Sequence, residues 1–222
     1  MRAVSGEAHS VKELSGKRIL IATKNEGKVK EFAHALSKIG KEVASLNDYP
    51  AFPDIVEDGD TFAANARIKA KAAGDAFQVP VLADDSGLRV KSLGGAPGVY
   101  SARYAGEGAT DSDNNAKLLV ELAKLEGADA AEALADGTRL LSEAQFVCVL
   151  ALYDPSTGEF VEAEGTVDGY IADRPRGEGG FGYDPLFWLP QLGRAMAELS
   201  KEEKQRISHR GHALEQLLEK LN

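Results

Sequence analysis

Short apolar runs alternate with helix-spaced apolar residues in the first half of the chain, and strand-like runs dominate later. Arg18–Ala22 (RILIA) is the kind of run a buried strand needs. Apolar residues then recur at helical spacing through Val29, Phe32, Ala33, Leu36 and Ile39, and Gly40 ends the period. Lys41–Ser45 reads as a second strand, and 46–60 as an acidic, turn-rich stretch with Pro50, Pro53 and Gly59. Thr61 is placed to cap a helix with an inner stripe of Phe62, Ala66, Ala70, Ala73 and Phe77. The strand Val81–Ala83 runs into Asp84-Asp85-Ser86-Gly87, with a glycine-rich loop, Gly94–Gly98, beyond it. A helix over Ser112–Leu125 carries Leu118, Leu119, Leu122 and Leu125.

Ala144–Tyr153 and Glu159–Val167, joined by Asp154-Pro155-Ser156-Thr157-Gly158, predict an antiparallel hairpin. After a loop over 173–185, Ser200-Lys201-Glu202-Glu203 has the spacing of a capping box. A last helix is built on Ala213, Leu214, Leu217, Leu218 and Leu221. Strands and helices that alternate and then give way to a hairpin predict the α/β class, a mixed sheet flanked by helices. With no repeat and no low-complexity linker, 17–222 read as one domain. Residues 1–16 are polar without an apolar core and read as a flexible N-terminal extension, not a signal peptide.

Charge narrows the partners. The 222 residues carry a net −9, which repels a phosphate polymer and argues against DNA or RNA as a ligand. A small phosphorylated molecule is still compatible, given local lysines and a divalent cation. The longest apolar run is about eight residues against the ~20 of a membrane span, so no membrane partner and a cytoplasmic location are expected. The single Cys148 excludes an intrachain disulfide and lies in the apolar run Phe146–Tyr153, where a buried structural thiol is expected.

Four polar clusters interrupt the pattern at strand ends and in loops, where α/β proteins bind ligands. Thr23-Lys24-Asn25-Glu26-Gly27-Lys28, between strand and helix, offers hydroxyl, amide, backbone N–H and ammonium donors to a phosphate. It lacks P-loop spacing, and alone it also fits an N-capped helix with a solvated Lys. In Val81–Leu88 (VLADDSGL) two adjacent carboxylates raise each other's pKa, a cost that a divalent cation removes. A helix cap or Asx-turn would need only one of them. Gly177–Asp184 (GEGGFGYD) formally satisfies G-x-G-x-x-G, but Pro185 and Pro190 oppose the long following helix of a dinucleotide fold. It reads as a flexible loop carrying Phe181, Tyr183 and Asp184, in which an aromatic can stack on a base and a carboxylate or main-chain group can read its edge. Ser208-His209-Arg210-Gly211, with Lys204 a turn earlier, places cationic groups at a helix start, against the macrodipole. A bound anion resolves that conflict, and ion pairs with Glu203 or Glu215 are the bland alternative.

These residues give the chain a close resemblance to the inosine triphosphate pyrophosphatase (XTP/dITP diphosphatase) family, from about Arg18 to the C-terminus. It rests on Thr23-x-Asn25-x-x-Lys28, Ala83–Leu88, Leu93–Tyr104, Gly179–Pro185, and Leu199-Ser200 through Gly211. The resemblance implies an elongated two-lobed fold around a long mixed sheet, a nucleotide cleft between the lobes, and a homodimer. It implies Mg²⁺-dependent hydrolysis of ITP, dITP and XTP to monophosphate and pyrophosphate, cleansing the nucleotide pool. By position, Thr23, Asn25 and Lys28, with Lys24, Glu26 and Gly27 in the same turn, would hold the triphosphate. Asp85 would be catalytic, and would bind metal with Glu57; Ser86 would touch substrate. Phe181, Gly182, Tyr183 and Asp184 would embrace the base, with Lys204, His209 and Arg210 completing the site. The chain carries Lys24 where many members have Gly, and Asp58 competes with Glu57 as second acid. Whether Asp85 acts as base or only as ligand stays open.

Two other readings compete. A Maf-type pyrophosphatase acting on pyrimidine or modified nucleotides is opposed by Gly179–Asp184 and Ser208–Arg210. A nucleotide sensor without turnover is opposed by Asp84-Asp85, since binding alone needs no base.

Overall fold

Burial on both faces explains why four residues suffice for β1, Arg18–Ile21, in which Ile19, Leu20 and Ile21 are all buried. The computed structural model describes residues 18–125 and 131–221; the extension expected over 1–16 lies outside them. β2, Glu42–Ser45, runs parallel to β1, with Ile19 opposite Val43. Parallel neighbours require a crossover, supplied by α1, Glu26–Ser37, capped by the Asn25 side chain. α2, Phe62–Phe77, starts at the Thr61 cap, and Phe62, Ala66, Ala70 and Ala73 are buried as their spacing predicts.

β3 pairs parallel with β1 on the side away from β2, Leu20 opposite Val81 and Ile21 opposite Leu82. It covers Val81–Val90 and so does not stop at Ala83. The turn-like string Asp84-Asp85-Ser86-Gly87 stays extended because β3 lies between two neighbours in the sheet, where tertiary pairing overrides local preference.

The hairpin strands are also longer than their apolar runs: β5 is Arg139–Asp154 and β6 Glu159–Ala172. Gly158 N–H donates to the Asp154 carbonyl to close their turn. β4 (Ala131–Ala133), β7 (Phe187–Leu189) and β8 (Arg194–Ala195) are too short to show a period. The sheet order is β2-β1-β3-β5-β6-β7-β8, with β4 on β5. The remaining helices are α3 (Asp111–Ala123), α4 (Lys201–Ile207) and α5 (His209–Leu221). Ser200 caps α4 through the expected box with Glu203. Among the described residues no helix is long and apolar enough to cross a membrane.

The chain divides into two compact units. One holds the described residues up to Asp85, Val149–Ala163 and those from Leu214 on; the other is Ser86–Cys148 and Glu164–Ala213. The first buries Ile21, Phe32, Leu36, Leu82, Leu150 and Leu217. The second has a core of Leu88, Leu118, Leu122, Phe146, Ile171, Leu186 and Phe187, among others. Cys148 is buried, as a structural thiol should be. In the second unit α5 approaches β6 at Gly165, where a Cβ would stand 2.1 Å from the His209 carbonyl oxygen. Only a bare backbone lets the helix start that carries His209 and Arg210 lie this close to the strand.

Candidate active site

In the first unit the chain leaves β1 toward β2 on one side and returns as β3 on the other. This is a switch point, the place where open parallel sheets leave a crevice at the carboxyl ends of their strands. β1 ends at Ile21, opposite Leu82, so Asp84 and Asp85 lie just beyond it. The loop that leaves β1 carries the first predicted cluster.

Thr23 is buried and its Oγ1 accepts from the Asn25 N–H at 3.2 Å. Asn25 Oδ1 in turn accepts from the Lys28 N–H and so caps the first turn of α1. Gly27 lies in that first turn, whose amides have no intrahelical acceptor. Lys28 Nζ reaches Asp84 Oδ2 at 2.8 Å, and Asp84 is fully buried. Two residues of this cluster turn elsewhere. Lys24 pairs with Asp54 at 2.5 Å, and exposed Glu26 lies 3.6 Å from Lys30. Neither joins the carboxylates.

Successive strand residues point to opposite faces, and the two aspartates meet different lysines. Asp85 Oδ1 lies 3.3 Å from Lys69 Nζ, and Lys69 also reaches Glu57 Oε2 at 2.8 Å. Asn65 Nδ2 donates to Asp85 Oδ2 at 3.1 Å, while Asn65 Oδ1 accepts from the Gly59 N–H at 2.8 Å. Glu57 is therefore the acid brought toward Asp85, whereas Asp58 is exposed. Asn65 and Lys69 escape a sequence reading because Asn and Lys on a helix normally face water. The available signal is their i, i+4 spacing beside the buried stripe Phe62-Ala66-Ala70.

Electrostatics here follow from one imbalance: Glu57, Asp84 and Asp85 are set against Lys28 and Lys69. Burial raises the Asp85 pKa; Lys69 and Lys28 offset this only in part, and Glu57 and Asp84 add to it. Burial alone would lower the Lys69 pKa, but Asp85, Asp84 and Glu57 together outweigh it and hold the ammonium above its usual range. The excess negative charge also provides the test of a metal. A cation, the Lys69 ammonium, already lies between Glu57 and Asp85, and a polyanion could approach this cluster only with more positive charge. Among the described residues no three His, Cys, Asp or Glu side chains form a metal centre. Glu57 and Asp85 are oxygen donors of the kind a hard ion takes from a protein, one or two carboxylates at a time.

The second unit holds the other two predicted clusters. Ser86 Oγ accepts from Arg210 Nη2 at 2.9 Å. Lys204 Nζ pairs with Asp184 Oδ2 at 2.7 Å, and both residues are buried. The same Oδ2 accepts from the Phe181 N–H at 2.9 Å. The Phe181 ring has Lys204 Nζ at 4.9 Å and the Arg210 guanidinium at 5.5 Å from its centroid, within cation–π range. His209 stacks on Phe146 with ring centroids 4.8 Å apart. Lys204 and Arg210 thus serve the aromatic loop and Ser86; Glu203 instead binds Arg194 at 2.6 Å.

Tyr183 differs from its expectation. Its side chain belongs to the core and its hydroxyl donates to the Ser101 carbonyl at 2.8 Å, so it anchors the loop from beneath. Ser101 Oγ accepts from the Leu88 N–H at 2.9 Å. The Gly94–Tyr104 motif thereby ties β3 to the aromatic loop. The loop also has a steric requirement: Gly180 has φ +77°, and a Cβ there would fall 2.1 Å from Asp184 Oδ2. Gly180→Ala should break the Asp184 contacts and destabilise the protein by about 1–3 kcal/mol, read as a lowered urea midpoint. An unchanged midpoint would mean the loop relaxes freely.

Residues 19–220 match the model of the Ham1 family. The chain is 54% identical over 202 residues to the dITP/XTP pyrophosphatase of Geobacillus kaustophilus, covering 90% of this chain and 92% of that one. It is 50% identical over 201 residues to the dITP/XTP pyrophosphatase of Halalkalibacterium halodurans, covering 90% and 97%. Solved structures agree: the Staphylococcus aureus Ham1 protein matches with a TM-score of 0.75 at 42% identity, over 92% of this chain and 98% of that one. The Coxiella burnetii HAM1 protein gives 0.76 at 41%, with the same coverage. With the match running from β1 to the last turn of α5, and with the resemblance read from five motifs upheld, the chain belongs to the Ham1 family.

Proposed function

We propose that the protein hydrolyses non-standard purine nucleoside triphosphates (ITP, dITP and XTP) to the monophosphate and pyrophosphate. The observation that carries the reading is the buried Asp85 carboxyl, with raised proton affinity, beside Lys69 and Glu57 at the switch point. Relatives about half identical to this chain bear the name dITP/XTP pyrophosphatase, which supports the substrate class.

The triphosphate is assigned to the first cluster. Thr23 and Asn25 shape the turn, the first amides of α1 face anionic oxygens, and Lys28 and Lys69 supply charge. The base is assigned to the Phe181 loop, where the aromatic face stacks and Asp184, Lys204, His209 and Arg210 fix the polar surroundings. Glu57 and Asp85 would hold Mg²⁺, which when bound neutralises phosphate charge and polarises the bond to be cut. A water gives its proton to Asp85 and adds to the α-phosphorus. The bond from that phosphorus to the bridging oxygen breaks, and pyrophosphate leaves.

Hydrolysis of dITP in ¹⁸O-water tests this bond assignment. Label in the monophosphate alone is expected; label in pyrophosphate would move the attack to the β-phosphorus and remove Asp85 from its role. We also take the working form to be a cytoplasmic homodimer, on the family resemblance. A single species of 23.6 kDa by sedimentation at working concentration would contradict the dimer.

A further inference from the structure

We propose that Asp111 and Asn115, at the start of α3, are positioning residues that clamp the backbone of the aromatic loop at Gly182 and so set how tightly the base is held. Nothing in the sequence singles them out: both read as ordinary polar residues in the first turns of a surface helix. Their side chains are turned to another use. Asp111 Oδ2 accepts from the Gly182 N–H at 2.7 Å, and Asn115 Nδ2 donates to the Gly182 carbonyl at 2.8 Å. One peptide segment is thus gripped at its donor and at its acceptor, from residues one helical turn apart.

The helix does not need Asp111 for its own cap. Thr110 and Asp113 already form a reciprocal capping box, with Thr110 Oγ1 accepting from the Asp113 N–H and Asp113 Oδ2 accepting from the Thr110 N–H. Asn115 Nδ2 does have a second acceptor, the Asp111 carbonyl at 2.9 Å, which ties the two clamp residues to each other. α3 itself is seated by other side chains, Leu118 and Leu122 in the core and Asn114, whose amide bonds the 102 and 105 backbone. It is a fixed post.

Gly182 lies between Phe181 and Tyr183. The Tyr183 hydroxyl fastens the loop to Ser101 below, and Asp184 holds the Phe181 N–H. The Phe181 carbonyl accepts from the Asp184 N–H at 3.3 Å within the loop, and the N–H and carbonyl of Gly182 itself are the groups that α3 holds. Gly182 also has φ +60° with no atom within 4 Å of an added Cβ, so side-chain packing does not fix it. Losing either clamp bond loosens the Gly182 backbone, next in the chain to the Phe181 ring, on the side of α3. The loss falls on base affinity and not on the phosphate chemistry at Asp85.

This inference rests on the base assignment proposed above. The test is dITP steady-state kinetics on the full chain for Asp111→Ala, Asp111→Asn and Asn115→Leu, with hydrogen exchange of the loop peptide spanning 177–184. Wild type is measured first: if it cleaves neither dITP nor XTP, the base assignment fails and takes this inference with it. Given an active wild type, Asp111→Ala and Asn115→Leu should each raise KM about tenfold, the worth of one lost hydrogen bond to a positioned group, while kcat changes less than about threefold. Gly182 protection should fall in both. Asp111→Asn keeps an acceptor oxygen and should stay near wild type, separating the bond from the charge. Unchanged KM despite lost protection would overturn the clamp's role, as would kcat and thermal midpoint falling together without a KM effect. Wild-type protection in both variants would show that the bonds do not hold the loop.

Discussion

Asp85→Asn will lose pyrophosphate release by more than about a thousandfold in kcat while remaining fully folded. The substitution keeps the shape but removes the proton acceptor and one of the two carboxylates facing the Lys69 ammonium. Stability should move the other way. Burial holds the Asp85 pKa above its unfolded value of 3.8. A carboxyl raised in this way favours the folded state below its unfolded pKa, and that contribution is lost as pH rises through the folded pKa. Above its folded pKa the ionised Asp85 is therefore a cost that Asn does not bear, and there the thermal midpoint of the variant should be at or above wild type. Rate against thermal midpoint above that pKa checks both halves. Near-normal turnover would remove Asp85 from the chemistry, and a large fall in midpoint would mean that its pairing with Lys69 outweighs its burial.

Lys69→Met should lose both activity and stability. It leaves Glu57, Asp84 and Asp85 with Lys28 as the remaining cation of the cluster. Taking one partner from a buried ion pair costs about 3–5 kcal/mol, because the charge left behind is uncompensated. The deficit should shrink in acid, since Asp85 can take up a proton, so the wild-type and variant midpoints should converge as pH falls. Thermal melts across that range read this directly. A constant difference would indicate lost packing of the lysine stem in place of lost charge.

The contrast between these residues shows where the sequence is readable. Strands and helices with three or more buried positions at regular spacing, such as β1 and α2, announce themselves. β3 does not, because Asp-Asp-Ser-Gly is turn chemistry by composition and stays extended only through its neighbours in the sheet. β7 and β8 are too short for any period. In the site, Asp85, Lys28, Asp184 and Lys204 are legible because charged groups at strand ends and helix starts conflict with local rules. Lys69 and Asn65 obey those rules and are buried only by tertiary packing. Lys24 and Glu26 show the converse: they sit inside a motif, yet helix geometry and Asp54 turn them away from the carboxylates.

The most direct test of the central claim is product analysis with Mg²⁺ and, separately, dITP, XTP, dGTP, ATP and dUTP. A site matched to a 6-oxo purine edge mispairs with adenine at two positions, enough to slow ATP by a factor on the order of tens to thousands. Rapid pyrophosphate release from dITP and XTP, with ATP and dGTP far slower, is the predicted result. Release mainly from dUTP would keep the cleavage chemistry and contradict the purine assignment, and orthophosphate in place of pyrophosphate would contradict the account of Asp85 and Lys28 itself.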